Sequence, residues 1–191
     1  MSVSETGRAR ERAVAAAAVA ATLVLLAAAG TLALPARAEE NQLDAEKAQR
    51  ATLRGLKGVG LVVRCDSTVE LEGLTKDQAR ADVQQWLEQG KVTVLTAEQC
   101  AQAQGSPRLC IDIAAATRRS ATTAYALQLS VCLTQDVKLA RDAEVTLSCP
   151  TWSTVKTEPT TKAELRGLAT TRLRDLVYNF IYAYLAENTQ E

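Results

Sequence analysis

Residues 125–133, Tyr-Ala-Leu-Gln-Leu-Ser-Val-Cys-Leu, form the stretch that decides the fold. Every second residue is apolar and the residues between are small or polar, which is the period of a β-strand with one buried face. Val137 and Leu139 keep the same parity, so the pattern predicts a long strand. Residues 109–113 show the same alternation upstream. The two stretches, joined by polar residues, predict an antiparallel hairpin.

Three shorter strands flank this hairpin along the chain. They are predicted at residues 58–65, 92–95 and 145–149, from short β-branched or alternating runs. The last is predicted to end or to bulge around Pro150, since proline cannot donate to a ladder and sits at edges or bulges. Trp86 and Trp152 are predicted to anchor the core.

Two helices accompany the strands. Thr75 and Gln78 form a capping box that begins the first helix, and Gly90 ends it. A second helix follows a similar box at Thr161 and carries apolar residues at three- and four-residue steps as far as Leu185. The order β-α-β-β-β-β-α predicts an α+β fold, with a sheet of about five strands, mainly antiparallel or mixed, and both helices on one face.

The first thirty-eight residues predict the compartment. Three arginines precede an uncharged apolar run at 13–34, and Ala-Arg-Ala follows at 36–38. This is the layout of a secretory signal, with cleavage expected after Ala38. An uncleaved anchor is the alternative, because a bilayer is crossed by about 20 apolar residues. The sequence therefore predicts a periplasmic or secreted protein, or one held at the inner membrane by the retained run.

Three segments follow from these patterns: a signal peptide or anchor at 1–38, a partly helical lead-in at 39–57, and a single α+β domain at 58–188. Removing the first segment leaves a net charge of about −2. A near-neutral balance of mixed sign argues against nucleic acid as a partner, because binding phosphate requires a basic face. The chain has no histidine, which removes the commonest general base and metal ligand.

Five cysteines, all beyond the signal, suit an oxidising compartment. Cys110 and Cys132 lie opposite the apolar rows of their strands, and a symmetric turn places them face to face with Cβ atoms about 4.5–5.5 Å apart. A disulfide is predicted there, with two unpaired thiols as the alternative. Cys65 and Cys149 share the parity of core residues and are expected to be buried. A bridge between Cys65 and Cys100 is a further option.

The layout from Gly58 to Asn188 resembles that of small envelope domains. The matching features are the first strand, the helix from Thr75, the strand pair joined through residues 118–119, and the helix from Leu165. Together they resemble the amino-terminal domain of TolB and the LptE-type assembly lipoproteins. The resemblance implies an α+β fold and a role in binding envelope components, and no functional residue is carried over with it.

No catalytic set is found in the sequence. Asp112 has no catalytic neighbour and is expected to be a solvated carboxylate, and Ser148 and Ser153 lack a histidine base. No metal or cofactor motif is present either. We therefore expect neither an enzyme nor a cofactor.

The arginines of the hairpin turns are a candidate interaction site. Arg118, Arg119 and Arg141 would form a basic interaction tip, and ordinary solvated turns are the alternative. The sequence favours an exported, non-catalytic binding or assembly protein of the bacterial cell envelope. It would contact an unidentified envelope protein through an open sheet face, a sheet edge or this tip. The alternative is a small-molecule or lipid-binding module with a cleft between helices and sheet. The membrane is a partner only if residues 13–34 are retained.

Overall fold

The computed structural model describes residues 34–117 and 124–189, with side chains from Leu43 onward. The contacts within the chain divide it into two compact units, Met1–Glu46 and Lys47–Glu191. The sheet and the helices packed against it belong to the second unit.

Helix α1, Leu34–Ala51, occupies most of the predicted lead-in and runs through the expected cleavage site at Ala38. The compact unit begins at Lys47, before the predicted boundary at Gly58, because the lead-in contributes Leu53 to the core with no exposed surface. Among the helices that the structure describes, none is both long enough and apolar enough to cross a membrane.

The five strands form one mixed sheet in the order β2-β1-β3-β4-β5. β1 runs parallel to β2 and to β3, whereas β4 is antiparallel to both β3 and β5. The predicted α+β fold is therefore confirmed. In the described part of the chain, the elements after α1 are β1 (Val59–Cys65), α2 (Ser67–Leu71), α3 (Lys76–Gln89), β2 (Val94–Leu95), α4 (Ala97–Gln102), β3 (Arg108–Thr117), β4 (Ala124–Leu139), β5 (Asp142–Thr161) and α5 (Leu165–Asn188).

Helices α3 and α5 cover one face of the sheet, here called the covered face. Alternate residues of β3 and β4 point into this interface, as the sequence predicts, and Ile111 and Leu133 have no exposed surface. Burying an aliphatic side chain of this size contributes roughly 1.5–3 kcal/mol. Trp152 is an anchor of this core, with its ring 5.3 Å from that of Phe180 in an edge-to-face contact. Trp86 packs against the core but stays half-buried.

Gly90 ends α3 as predicted, but it does not act there as the left-handed glycine that often follows a helix. Thr75 does cap the helix, its Oγ1 accepting from the Gln78 amide at 3.2 Å, but the reciprocal bond of the predicted capping box does not form. At the other end, Gly90 has an ordinary φ of −79°, and Lys91 takes the left-handed φ of 58°. A Cβ on Gly90 would lie 2.6 Å from Cγ2 of Ile181. The missing side chain therefore allows α3 to end in close contact with α5.

The predicted capping box at Thr161 does not form. Glu164 takes the N-cap position of α5 without a side-chain cap, and its Oε2 accepts from the Thr161 hydroxyl at 2.9 Å. Two elements near β1 also differ from prediction. β2 has two residues instead of four. The loop after β1 contains α2, which Asp66 caps by accepting from the Thr68 amide at 2.5 Å.

Strand β5 is longer than predicted and continues to Thr161. Its register with β4 shifts between Leu133 and Thr134, which pair with Trp152 and Pro150 respectively. Thr151 is the extra residue, so the bulge expected beside Pro150 is present and the strand does not end there.

The free edge of β5 is protected by proline. The Ser153 amide donates outside the sheet, to Oε1 of Gln49 at 3.4 Å, so backbone groups of this parity point away from β4. Pro159 has the same orientation as Ser153. Pro150 has it too, because the extra residue Thr151 shifts the alternation by one position. Both prolines therefore stand where an amide would face outward, which weakens the edge as a template for a further strand.

Candidate functional site: the open face of the sheet

The face opposite α3 and α5, here called the open face, is the candidate functional site. Its side chains are exposed or half-buried and mix small, polar, charged and apolar groups. Val62 exposes 37% and Val155 57% of its surface, so apolar area lies beside polar groups. The face is formed by Val62 and Arg64 of β1, Arg108, Cys110 and Asp112 of β3, Gln128, Ser130, Cys132 and Thr134 of β4, and Ser153, Val155 and Thr157 of β5.

An ion pair between Arg64 and Asp112 crosses the open face. The two residues are register partners on the parallel strands β1 and β3. Nε of Arg64 donates to Oδ1 of Asp112, and Nη2 donates to Oδ2 at 2.9 Å. The hydrogen bond to Asp112, together with its charge, raises the pKa of Arg64. This two-point geometry orients both side chains, so Asp112 is an ion-pair partner, and its side chain also stays 38% exposed to solvent, as expected.

Cys110 and Cys132 are directly opposite each other, as the sequence predicts. Gly60 and Asp66 of the β1 side donate to the carbonyls of Pro107 and Ile113. The backbone N–H and C=O groups of odd-numbered residues in β3 therefore point toward β1. Those of even-numbered residues, including Cys110, point toward β4. This makes the two cysteines a hydrogen-bonded pair, with Cα atoms about 5.5 Å apart. The side chains of such a pair lie farther apart than those of a non-hydrogen-bonded pair, and no disulfide joins the two cysteines in the structure.

Both sulfurs of this pair are free thiols in the structure, as are those of the other three cysteines. Cys110 Sγ lies 3.7 Å from Oγ1 of Thr134. Burial raises the pKa of the Cys132 thiol; Cys110 and Asp112 raise it further, and Arg64 lowers it. The opposed positions are established, and the disulfide itself stays a prediction.

The other cysteines differ from expectation. Cys65 and Cys149 are half-buried, whereas Cys100 is buried. Partial burial raises the pKa of the Cys65 thiol to about 11, with Glu70 adding to the effect. Cys65 Sγ donates to the Leu74 carbonyl at 3.4 Å, and Cys100 Sγ donates to that of Pro107 at 3.2 Å. The optional bridge between them is absent, because Cys65 ends β1 while Cys100 packs near its beginning.

The proposed basic tip is described only in part. Arg118 and Arg119 lie outside the described residues. Arg141 is exposed in the turn between β4 and β5, at the far end of the sixteen-residue strand β4 from Ala124. The described residues therefore show one arginine of the three.

A cavity of about 280 Å³, here called the arginine pocket, opens at the sheet edge where β2 ends. β2 pairs only with Val59 and Gly60 of β1. Helix α4 forms one wall and lies against the open face at Gly60, where a Cβ would be 2.9 Å from Cys100 Sγ. The capping box of Thr96 and Gln99 holds the start of this helix. The pocket is lined by Gly60, Leu61, Val62, Arg80, Leu95, Thr96, Ala97, Cys100 and Arg108.

Two arginines and no acidic residue line this pocket. Arg80 reaches the edge from α3, and its Nη1 donates to the Leu61 carbonyl at 3.0 Å. The Arg108 guanidinium has no hydrogen-bond or ion-pair partner among the residues that the structure describes. The sequence interpretation missed both. The parity that Arg108 shares with Cys110 could have placed it on the open face, but Arg80 joins the site only through the packing of α3.

Two further cavities are less suited to a ligand. One of about 790 Å³ lies between the end of α5 and residues 54–57. Most of its polar groups are already paired: Arg54 contacts Glu187 at 2.9 Å, and Asn188 Oδ1 accepts from the Gly55 amide at 2.8 Å, which leaves Lys57 as the remaining charged lining residue. The other, of about 290 Å³, has Lys57 as its one charged lining residue.

No family model matches the chain, and no curated protein matches it. Within the described residues, no group of three or more Cys, Asp or Glu side chains is arranged to hold a metal ion.

Proposed function

We propose that this chain is an exported, non-catalytic binding or assembly protein of the bacterial cell envelope, and that it contacts a protein partner through its open face. The observation that carries the proposal is that neighbouring residues of one strand differ in burial: one is buried in the core and the next faces outward. Leu129 is buried under the helices, while its neighbours Gln128 and Ser130 face outward beside exposed Val155. Apolar groups with a polar surround are typical of protein interfaces.

Of the three surfaces considered, the open face is favoured over the edge and the turns. Pro150 and Pro159 hinder strand addition along β5. The bidentate Arg64–Asp112 pair instead gives the open face a fixed polar feature beside Val62. Fixed polar groups provide specificity at low entropic cost, because little side-chain freedom is lost on binding.

The alternative function, a ligand cleft between helices and sheet, is disfavoured by packing. The residues at this interface, such as Val83, Ile111 and Phe180, have no exposed surface. None of the three cavities described above lies between α3, α5 and the sheet. A ligand there would have to displace core side chains.

Export is proposed from the N-terminal sequence, and the layout resembling TolB and LptE-type domains supports an envelope role. N-terminal sequencing of the protein from its producing cell tests the first point. A mature chain that begins at Glu39 supports cleavage, and an intact N-terminus in the membrane fraction supports the anchored form. Recovery of an intact chain from the cytoplasm would contradict export.

The docking proposal is tested by site-specific photocrosslinking at Ser130, followed by purification of the captured complex. Val155→Arg should weaken that complex at least about tenfold, because it puts a charge into the contact. Tyr182→Arg is the matched control, since Tyr182 is 66% exposed on α5. Equal weakening by both variants, or no adduct from Ser130, would contradict docking on the open face.

A further inference from the structure

We propose that the arginine pocket binds a carboxylate group that the partner protein presents next to an apolar side chain. This inference rests on the proposed function, because the partner supplies the carboxylate. It defines the chemistry that one end of the open face recognises.

The charge of the pocket favours an anion. Arg80 and Arg108 both line it, and neither has a carboxylate partner among the described residues. Asp77 and Asp82, the acidic residues nearest Arg80 along the chain, do not line the pocket. Glu98 accepts from the Thr96 hydroxyl at 3.0 Å, and Asp112 is held by Arg64. Guanidinium groups match the planar carboxylate geometrically, with two parallel hydrogen bonds.

The rest of the pocket favours an apolar stem on that carboxylate. Leu61, Val62, Leu95, Ala97 and Cys100 form most of the lining. A volume of about 280 Å³ lies just below the range of roughly 300–1,000 Å³ typical of small-molecule sites. It is suited to one or two side chains. A free inorganic anion would leave the apolar lining uncovered, whereas a peptide carrying a carboxylate and a leucine would cover it.

The pocket does not favour addition of a backbone strand. The Leu61 carbonyl lies at the edge of β1 just beyond the end of β2, and Arg80 already donates to it. A peptide strand would have to displace that hydrogen bond. Recognition through a carboxylate and its apolar neighbour leaves the bond intact.

The test is a titration of the full purified chain with four probes, followed by backbone amide shifts in NMR spectra. The probes are acetyl-Leu-Glu-Leu-amide, acetyl-Leu-Gln-Leu with a free terminus, acetyl-Leu-Gln-Leu-amide, and sodium phosphate. The first two distinguish a side-chain from a terminal carboxylate. We expect saturable shifts around Ala97 and Arg108 with at least one of them, and affinity at least about tenfold lower for the neutral peptide and for phosphate.

Variants separate binding from folding. Arg80→Gln and Arg108→Gln should each weaken peptide binding about tenfold, because each removes a charged hydrogen-bond donor. Arg141→Gln is the control, since this exposed arginine lies in the turn after β4. Urea unfolding of each variant confirms that the fold persists, and Arg80→Lys, which keeps the charge, should recover part of the affinity.

The outcomes also separate this inference from the proposed function. Equal binding of the neutral peptide, preference for phosphate, no binding, or equal affinity of Arg108→Gln and Arg141→Gln would each overturn the carboxylate site. A partner captured at Ser130 whose affinity is unchanged in Arg80→Gln and Arg108→Gln would leave docking intact and overturn the pocket. Peptide binding without any captured partner would support the pocket and contradict the docking.

Discussion

The two faces of the sheet come from the same strands but differ in what their residues contact. On the covered face, Ile111 and Leu129 are enclosed by α3 and α5 and have at most 1% exposed surface. One residue away on each strand, Asp112 and Ser130 face outward as register partners. The difference indicates that folding free energy is concentrated on the covered face. The open face can then carry binding groups at little cost in stability.

The largest expected effect comes from removing a side chain on the covered face. Leu129→Ala should lower the free energy of unfolding by about 2–5 kcal/mol, because it deletes buried methyl groups and leaves a cavity. Ser130→Ala, the adjacent residue on the open face, should change it by less than about 0.5 kcal/mol. Urea unfolding followed by far-UV circular dichroism measures both. Similar losses in the two variants would break the contrast between the faces.

The second expectation concerns the predicted disulfide on the open face. If Cys110 and Cys132 form a disulfide on oxidation, the oxidised protein should be more stable than the reduced protein by about 3 kcal/mol, since the bond restricts the unfolded chain. Cys110→Ser should abolish this difference, and Cys149→Ser should leave it. Peptide mass mapping of unreduced protein checks the linkage. Finding both thiols alkylatable in the folded protein would show that the bridge prediction is wrong.

A third expectation concerns the contact of α3 with α5 on the covered side. Gly90→Ala should destabilise the protein by about 1–3 kcal/mol, because the added Cβ overpacks against Ile181. Gly167 is helical, exposed and has nothing within 4 Å of an added Cβ. Gly167→Ala should therefore stabilise by about 0.5–1 kcal/mol.

A thermodynamic cycle sharpens this test. In the Ile181→Ala background, where the obstructing atoms are gone, Gly90→Ala should cost less than in the wild type. Equal costs in the two backgrounds would mean that the contact with Ile181 is not the reason for glycine at this position.

The smallest expected effect lies at the margin of the covered face. Hydrogen bonds from Lys156 and Arg172 hold the pKa of Glu158 below its ordinary value of 4.5. The ion pairs therefore stabilise the fold above about pH 4.5, and this stability is lost as the pH falls through the lower folded pKa. Glu158→Gln should be slightly less stable than the wild type at neutral pH and equally stable near about pH 2. A stability difference that persists unchanged at low pH would exclude the ion pairs as its source.

Local sequence patterns predicted where helices and strands lie better than they predicted which contacts begin and end them. The alternation in β3 and in β4 as far as Leu133 gave the buried and outward residues correctly, because a strand alternates its faces whatever lies beside it. Gly90 was correctly placed after α3, but its role depends on Ile181, which is distant in sequence. Thr161 matches a capping motif, yet the helix begins without that cap. At Pro150 the sequence left an end or a bulge open, and the structure shows the bulge at Thr151, after which the pairing of β5 continues.

The sequence by itself determined the α+β class, the face on which Cys110 and Cys132 lie, and their opposed positions in the register of a hairpin. These follow from periodicity and from a short connection, which are local properties. Only the tertiary structure decided the strand order, the Arg64–Asp112 pair between residues 48 positions apart, and the meeting of Arg80 with Arg108 in one pocket. Periodicity specifies which side of an element is buried but not its neighbour, because the choice of neighbour depends on all the free edges and faces of the fold together.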